Sequence, residues 1–146
     1  MKLDVSAETT IAQPRAVVAA YVFDHRNDPI WIGGISESEL EGDPPIRVGS
    51  RVRRVATFLG KRIEYVNEVE RLEPDDRLEM RSVKSPFPMR VTYSFGDANG
   101  GSTRARIRVE GDPGAIYRVA GPVMRRQVQR SISRDLETLR SILEAG

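Results

Sequence analysis

The chain has 146 residues, enough to bury a core without metals or disulfides. It contains no cysteine and a single histidine, which excludes a disulfide framework, a thiol nucleophile, a thiolate metal site and a multi-histidine metal site. Lysine and arginine number 23 against 21 aspartates and glutamates, a formal charge of only +2 with the signs interleaved, so the concentrated positive surface that nucleic acid requires is missing.

Leu3, Val5, Ala7, Thr9 and Ile11 alternate with polar residues, the period of a half-buried strand. Pro14 then opens a short helix from Arg15 to about Phe23, with Val17, Val18, Tyr21 and Val22 as its apolar face. Asp24 to Pro29 is turn-forming, with His25 read as solvent-exposed and Asp24 as a turn-stabilising residue. Ile30-Trp31-Ile32 reads as a single helical turn. Strands are expected over Ile35–Glu41, Arg51–Leu59, Arg62–Leu72, Arg77–Val83, Met89–Phe95 and Thr103–Glu110. Gly60-Lys61 suits a hairpin, and Asp97 to Gly101 is the strongest turn signal in the chain.

From Ala115 to Ala145, apolar residues recur at steps of three and four, including Val123, Met124, Val128, Ile132, Leu136, Leu139 and Leu143. Arg118, Arg125, Arg126, Arg130, Arg134, Glu137 and Arg140 take the opposite face. A helix of about 30 residues is on the order of 45 Å long, so something large must cover its apolar side. Gly121-Pro122 predicts a kink there, or a helix that begins in earnest only at that point. The kink is read first as accommodation to the sheet; alternatively, the residues before it form a movable gate. Strands segregated from helices and joined by short turns give an α+β class, with residues 1–146 forming one domain. No run approaches the roughly 20 apolar residues of a membrane span, and the opening stretch has no apolar core of signal-peptide length. The expectation is a cytoplasmic protein without stable membrane insertion.

This layout resembles the helix-grip fold of the START/Bet v 1-like (SRPBCC) superfamily, particularly its polyketide cyclase/dehydrase and lipid-transport branch. The matching pieces are Ala12-Gln13-Pro14-Arg15-Ala16-Val17 after the first strand and Asn27-Asp28-Pro29-Ile30-Trp31 before a Trp-bearing short helix. Val48-Gly49, Glu70 to Leu78, Gly100-Gly101-Ser102-Thr103 and Arg134 to Glu144 complete the set. The resemblance implies a curved antiparallel sheet of about seven strands around the long C-terminal helix, with two short helices after the first strand. It also implies a hydrophobic ligand held between helix and sheet.

On such a sheet the inward residues would include Ile63, Tyr65, Asn67, Val69, Leu78, Met80, Ser82, Met89, Val91, Tyr93, Phe95, Ala105, Ile107 and Val109. Val123, Met124, Gln127, Val128 and Ser131 would face them from the helix. The expected ligand-binding cavity comprises Trp31, Arg54, Phe58, Tyr65, Asn67, Met80, Met89, Val91, Tyr93, Ile107, Met124, Gln127 and Val128. Trp31 serves either as a pocket wall or as a core anchor. A buried Asn67 among apolar neighbours must find a partner or a ligand. Arg54 turns inward in the register that buries Val52, Ala56 and Phe58, where it would suit an acidic ligand. It faces solvent in the register that buries Val55, Thr57 and Leu59, and the pattern supports both. Expected partners are a hydrophobic small molecule such as a lipid or polyketide and no nucleic acid, in a monomer or homodimer with no metal or cofactor. An aromatase/cyclase or dehydrase-type enzyme is the alternative, with Tyr65, Asn67, Tyr93 or Arg54 polarising carbonyls but no positioned base in evidence.

Overall fold

The computed structural model describes residues 3–58, 60–112 and 114–145, with the backbone alone for 115–120. β1 (Leu3–Ile11) leads into α1 (Arg15–Phe23), a 3-10 turn at His25–Asn27 and the one-turn helix α2 (Asp28–Trp31). β2 (Ile35–Glu41), β3 (Arg51–Phe58), β4 (Lys61–Glu73), β5 (Arg77–Lys84), β6 (Met89–Asp97) and β7 (Thr103–Gly111) follow, and α3 (Ala115–Glu144) ends the order. The strands form one antiparallel sheet of seven, ordered β1-β7-β6-β5-β4-β3-β2. β1 and β2 therefore occupy opposite edges, and α1 and α2 carry the chain from one to the other.

The alternation in the sequence sets the faces. In β1, Leu3, Val5 and Ile11 are buried while Asp4, Glu8 and Thr10 are exposed. In β7, Thr103, Ala105 and Ile107 are buried and Arg104 and Arg106 are exposed. The connection into β7 is made by Gly100 and Gly101, whose φ values of 70° and 76° favour residues without a Cβ. Pro14 starts α1 as expected, its carbonyl accepting from Val17 and Val18. Val17 itself is 44% exposed, so the buried face of α1 is Val18, Ala19 and Val22 rather than the four residues expected.

α3 covers the β1 edge. Gln129 Nε2 donates to the Ser6 carbonyl at 2.9 Å, Thr9 Oγ1 donates to Glu137, and Gln13 Nε2 donates to the Leu143 carbonyl. An edge strand is thereby closed to pairing with another chain. Met124, Val128, Ile132, Leu136 and Leu139 are buried against the sheet, while Arg125, Arg126, Arg130, Arg134 and Arg140 are exposed. Val123 is 59% exposed and corrects the inward face. It lies about 100° round the helix from Met124, outside the stripe that the other five define. Pro122 sits inside a helix assigned from Ala115, so the helix does not begin only at Gly121–Pro122. The side chains before it, including Arg118 and those read as a gate, lie outside the described residues. Among the described residues no helix is long and apolar enough to cross a membrane.

An irregularity in β2 changes which of its side chains face inward. The strand carries a bulge between Ile35 and Glu37, and a bulge shifts the parity of a strand by one residue. Ile35 pairs with Ala56 before it, and Ser38 pairs with Arg54 after it. Both Ile35 and Ser38 consequently face the same way as the buried side of β3.

Candidate functional site

The structure resolves the register of β3. Val52, Arg54 and Ala56 are buried on the side that faces α3, with Phe58 partly buried behind them. Arg54 is 4% exposed, and its counter-charge is Asp28, 2% exposed at the start of α2. Arg54 donates from Nη2 to Asp28 Oδ2 at 2.9 Å and from Nε to the same oxygen at 3.2 Å. That oxygen also accepts the Ser38 hydroxyl at 2.7 Å, the contact that the β2 bulge makes possible. The remaining Arg54 nitrogen, Nη1, donates to the Tyr93 hydroxyl at 3.3 Å. Burial works against the Arg54 charge, but the Asp28 carboxylate beside it holds its pKa above the ordinary arginine value. Burial pushes the Tyr93 hydroxyl up to about 12, with Arg54 pulling the other way, so Tyr93 keeps its proton across the physiological range.

Below this cluster, between the sheet and α3, lies a partly open cavity of about 200 Å³. Its walls are largely apolar, with Ile35, Ala56, Phe58, Ile63, Met89, Val91, Ile107 and Val109 from the strands. Met124, Val128 and Ile132 contribute from α3, and Trp31 closes one side with its ring edge-on to Tyr93 at a centroid distance of 5.8 Å. Two neighbours on β4 bring polarity into it. Asn67, 3% exposed, lines the cavity with its amide. Tyr65, 9% exposed and paired in register with Arg54, adds a hydroxyl-bearing ring to the same wall.

Residues 2–144 match the family described as polyketide cyclase/dehydrase and lipid transport. The chain belongs to this family. No curated protein matches it in sequence. Among solved structures it is similar to the Zhui aromatase/cyclase from a Streptomyces species, at 14% identity and a TM-score of 0.83 over 99% of this chain and 94% of that one. A START superfamily protein from Mycobacterium smegmatis gives 14% identity and a TM-score of 0.81 over 97% of both chains. A protein from Thermus thermophilus gives 19% identity and a TM-score of 0.84, again over 97% of both. At these identities the likeness shows the fold, the helix-grip arrangement of START proteins.

Of the residues expected to bind ligand, Trp31, Arg54, Phe58, Tyr65, Asn67, Met89, Val91, Tyr93, Ile107, Met124 and Val128 line this family member's cavity. Met80 does not. At 1% exposure it is buried between Val69 and Val91 of the neighbouring strands, inside the solid part of the core. Gln127 is also absent from the walls; it sits about 40° round the helix from Ser131, beyond the edge of the lining face. His25 and Asp24 lie away from the cavity, and Asp24 caps the 3-10 turn by accepting from the Arg26 N–H at 3.1 Å.

Three site residues escaped the sequence reading: Asp28, Ser38 and Asp135. Asp135 lines the cavity at 7% exposure, and its Oδ1 accepts the Gly33 N–H at 3.0 Å. Burial raises its carboxyl above the ordinary value of 3.8, with the Gly33 bond and Arg134 pulling it down. An aspartate raised by folding holds its proton in a window where the unfolded chain has lost it, so stability falls as pH rises through that window. Asp135→Asn keeps an acceptor oxygen and removes the charge. Urea unfolding is expected to find this variant at least as stable as wild type at neutral pH, with the difference vanishing in acid. A loss above about 1 kcal/mol at neutral pH would show that the carboxylate itself is needed.

Proposed function

We propose that this protein binds a compact, mostly apolar small molecule in the cavity between the sheet and α3. The observation that carries the reading is Asn67, an amide only 3% exposed that lines an otherwise largely apolar cavity wall. Buried polar groups are almost always hydrogen-bonded, and an amide on a cavity wall can make such a bond to a ligand's polar end. The cavity, at about 200 Å³, exceeds the roughly 150 Å³ that accommodates a benzene and falls short of the range of about 300–1,000 Å³ typical of drug-sized sites. A one- or two-ring molecule fits this volume better than a long acyl chain. The family description, which includes lipid transport, supports a hydrophobic ligand in general.

Native mass spectrometry of protein purified from its own host is expected to show a retained small molecule. Thermal melting against a panel of aromatic and terpenoid compounds is expected to rise with some of them. Ala56→Phe places a ring in the cavity and is expected to abolish those shifts while leaving the melting temperature of the free protein unchanged or higher. Absence of any adduct together with a flat panel would end the binding reading.

A second reading, an aromatase/cyclase or dehydrase-type enzyme, draws on Tyr93. Its hydroxyl accepts from Arg54 and keeps its own proton, so it can donate to a substrate carbonyl. Tyr93→Phe separates the two readings, because an enzyme loses turnover and a carrier loses only part of its affinity.

A further inference from the structure

An arginine in an apolar cavity invites the reading that the ligand is an acid, and the surrounding charges argue otherwise. Arg54 commits two of its nitrogens to Asp28 and the third to Tyr93. Its pair with Asp28 closes at 2.9 Å with both side chains almost fully buried, so the two charges cancel within the wall. The other cation on the lining, Arg90, lies within 3.1 Å of a Glu70 oxygen and within 3.3 Å of Glu79. Both cations on the described lining therefore already stand beside carboxylates, although Arg90 Nε has no hydrogen-bond partner of its own. Asp135 on the opposite wall has its carboxyl pKa already raised by burial, the mark of surroundings unfavourable to negative charge. A carboxylate entering here would lose its water and meet only cations that already stand beside carboxylates.

The polar groups that β4 and β6 bring to the lining beside this pair are neutral. Asn67 offers an amide donor and an amide acceptor, and Tyr65, two residues away on the same face of β4, adds a hydroxyl. Tyr93 accepts from Arg54 and so has its proton free to give. Together they match a ligand that sets an acceptor beside a donor. Resting on the binding function proposed above, we propose that the cavity discriminates against carboxylates and takes a neutral hydroxyketone or hydroxyamide. Asn67 and Tyr65 read its polar end, and the Asp28–Arg54 pair acts as a mask on a positive charge.

Three probes of one skeleton test this on the intact protein by isothermal titration: hydroxyacetonaphthone, its carboxylate counterpart hydroxynaphthoate, and plain naphthalene. At neutral pH the ketone is expected to bind at least about tenfold more tightly than the carboxylate. Asn67→Ser, which removes the amide without adding volume, is expected to lower ketone affinity about tenfold and not to weaken naphthalene. Asp28→Asn unmasks Arg54, so it is expected to raise hydroxynaphthoate affinity and to let that compound stabilise the variant more than the ketone does. If Asp28→Asn fails to fold, the wild-type comparison decides alone. A carboxylate that binds wild type as tightly as the ketone overturns the inference and leaves the cavity a binding site. Failure of naphthalene and both its derivatives to bind overturns the binding function as well.

Discussion

Arg54→Met is expected to destabilise the protein by about 3–5 kcal/mol, most of it from Asp28 left buried without its cation. Both partners are nearly fully enclosed, with side-chain exposures of 5% and 2%, so water cannot replace the lost guanidinium. Ser38 would remain as a donor to Asp28 Oδ2, and a single hydroxyl is a weak substitute for two charge-assisted bonds. Removing both charges is a different matter. Arg54→Met combined with Asp28→Leu is expected to recover most of the loss, because an apolar pair of similar size carries no desolvation cost. Urea unfolding of the wild type, the two single variants and the double variant gives the coupling directly. A cost below about 1 kcal/mol for Arg54→Met would mean that Asp28 relaxes to solvent, and the pair would then be no fixed part of the cavity wall. If the double variant is stable, the pair's persistence in the native chain is a matter of the site and not of the fold.

The course of the chain was legible because most strands bury one face, and β1 and β7 show that as clean alternation. β3 did not, for a physical reason. Val52 and Val55 are both 1% exposed although they point to opposite faces, so the two registers present equal apolar patterns and Arg54 could belong to either. The β2 bulge was equally opaque, since Ile35-Ser36-Glu37-Ser38 gives no hint of where parity changes. Asp28 was hidden by its neighbour: Asp-Pro in a run of His, Arg and Asn reads as turn chemistry, and only an inward Arg54 would have demanded a buried anion. Asp135 did carry a signal. Steps of four, three and four from Met124 through Val128 and Ser131 reach it along the lining face, but a charged residue on a basic helix is most often solvated surface. The polar groups of the cavity were thus readable one at a time on β4. Their assembly with Asp28 and Asp135 depends on contacts between segments far apart in sequence.

Trp31→Ala is expected to cost about 3–5 kcal/mol, the range for emptying a large aromatic site in a well-packed core. Trp31 is 1% exposed and joins three parts of the molecule, resting on Tyr93 of β6, forming part of the cavity wall, and belonging to the helix that also supplies Asp28. Its Nε1 has no hydrogen-bond partner among the described residues, so the indole contributes through its volume and contacts. Trp31→Phe should therefore cost much less than Trp31→Ala, on the order of 1–2 kcal/mol. The alanine variant leaves a void continuous with a cavity that already exists, and an apolar void of this kind stays dry and accepts small aromatic molecules. Indole at millimolar concentration is thus expected to restore part of the lost stability to Trp31→Ala, in proportion to the logarithm of its concentration over its dissociation constant, and to do less for wild type. Differential scanning calorimetry with and without indole reads both effects. A Trp31→Ala protein that melts as wild type does, or that indole stabilises no more than wild type, would show that the sheet and α3 close over the gap. The cavity would then be a packing compromise that the fold can collapse, rather than a volume it maintains.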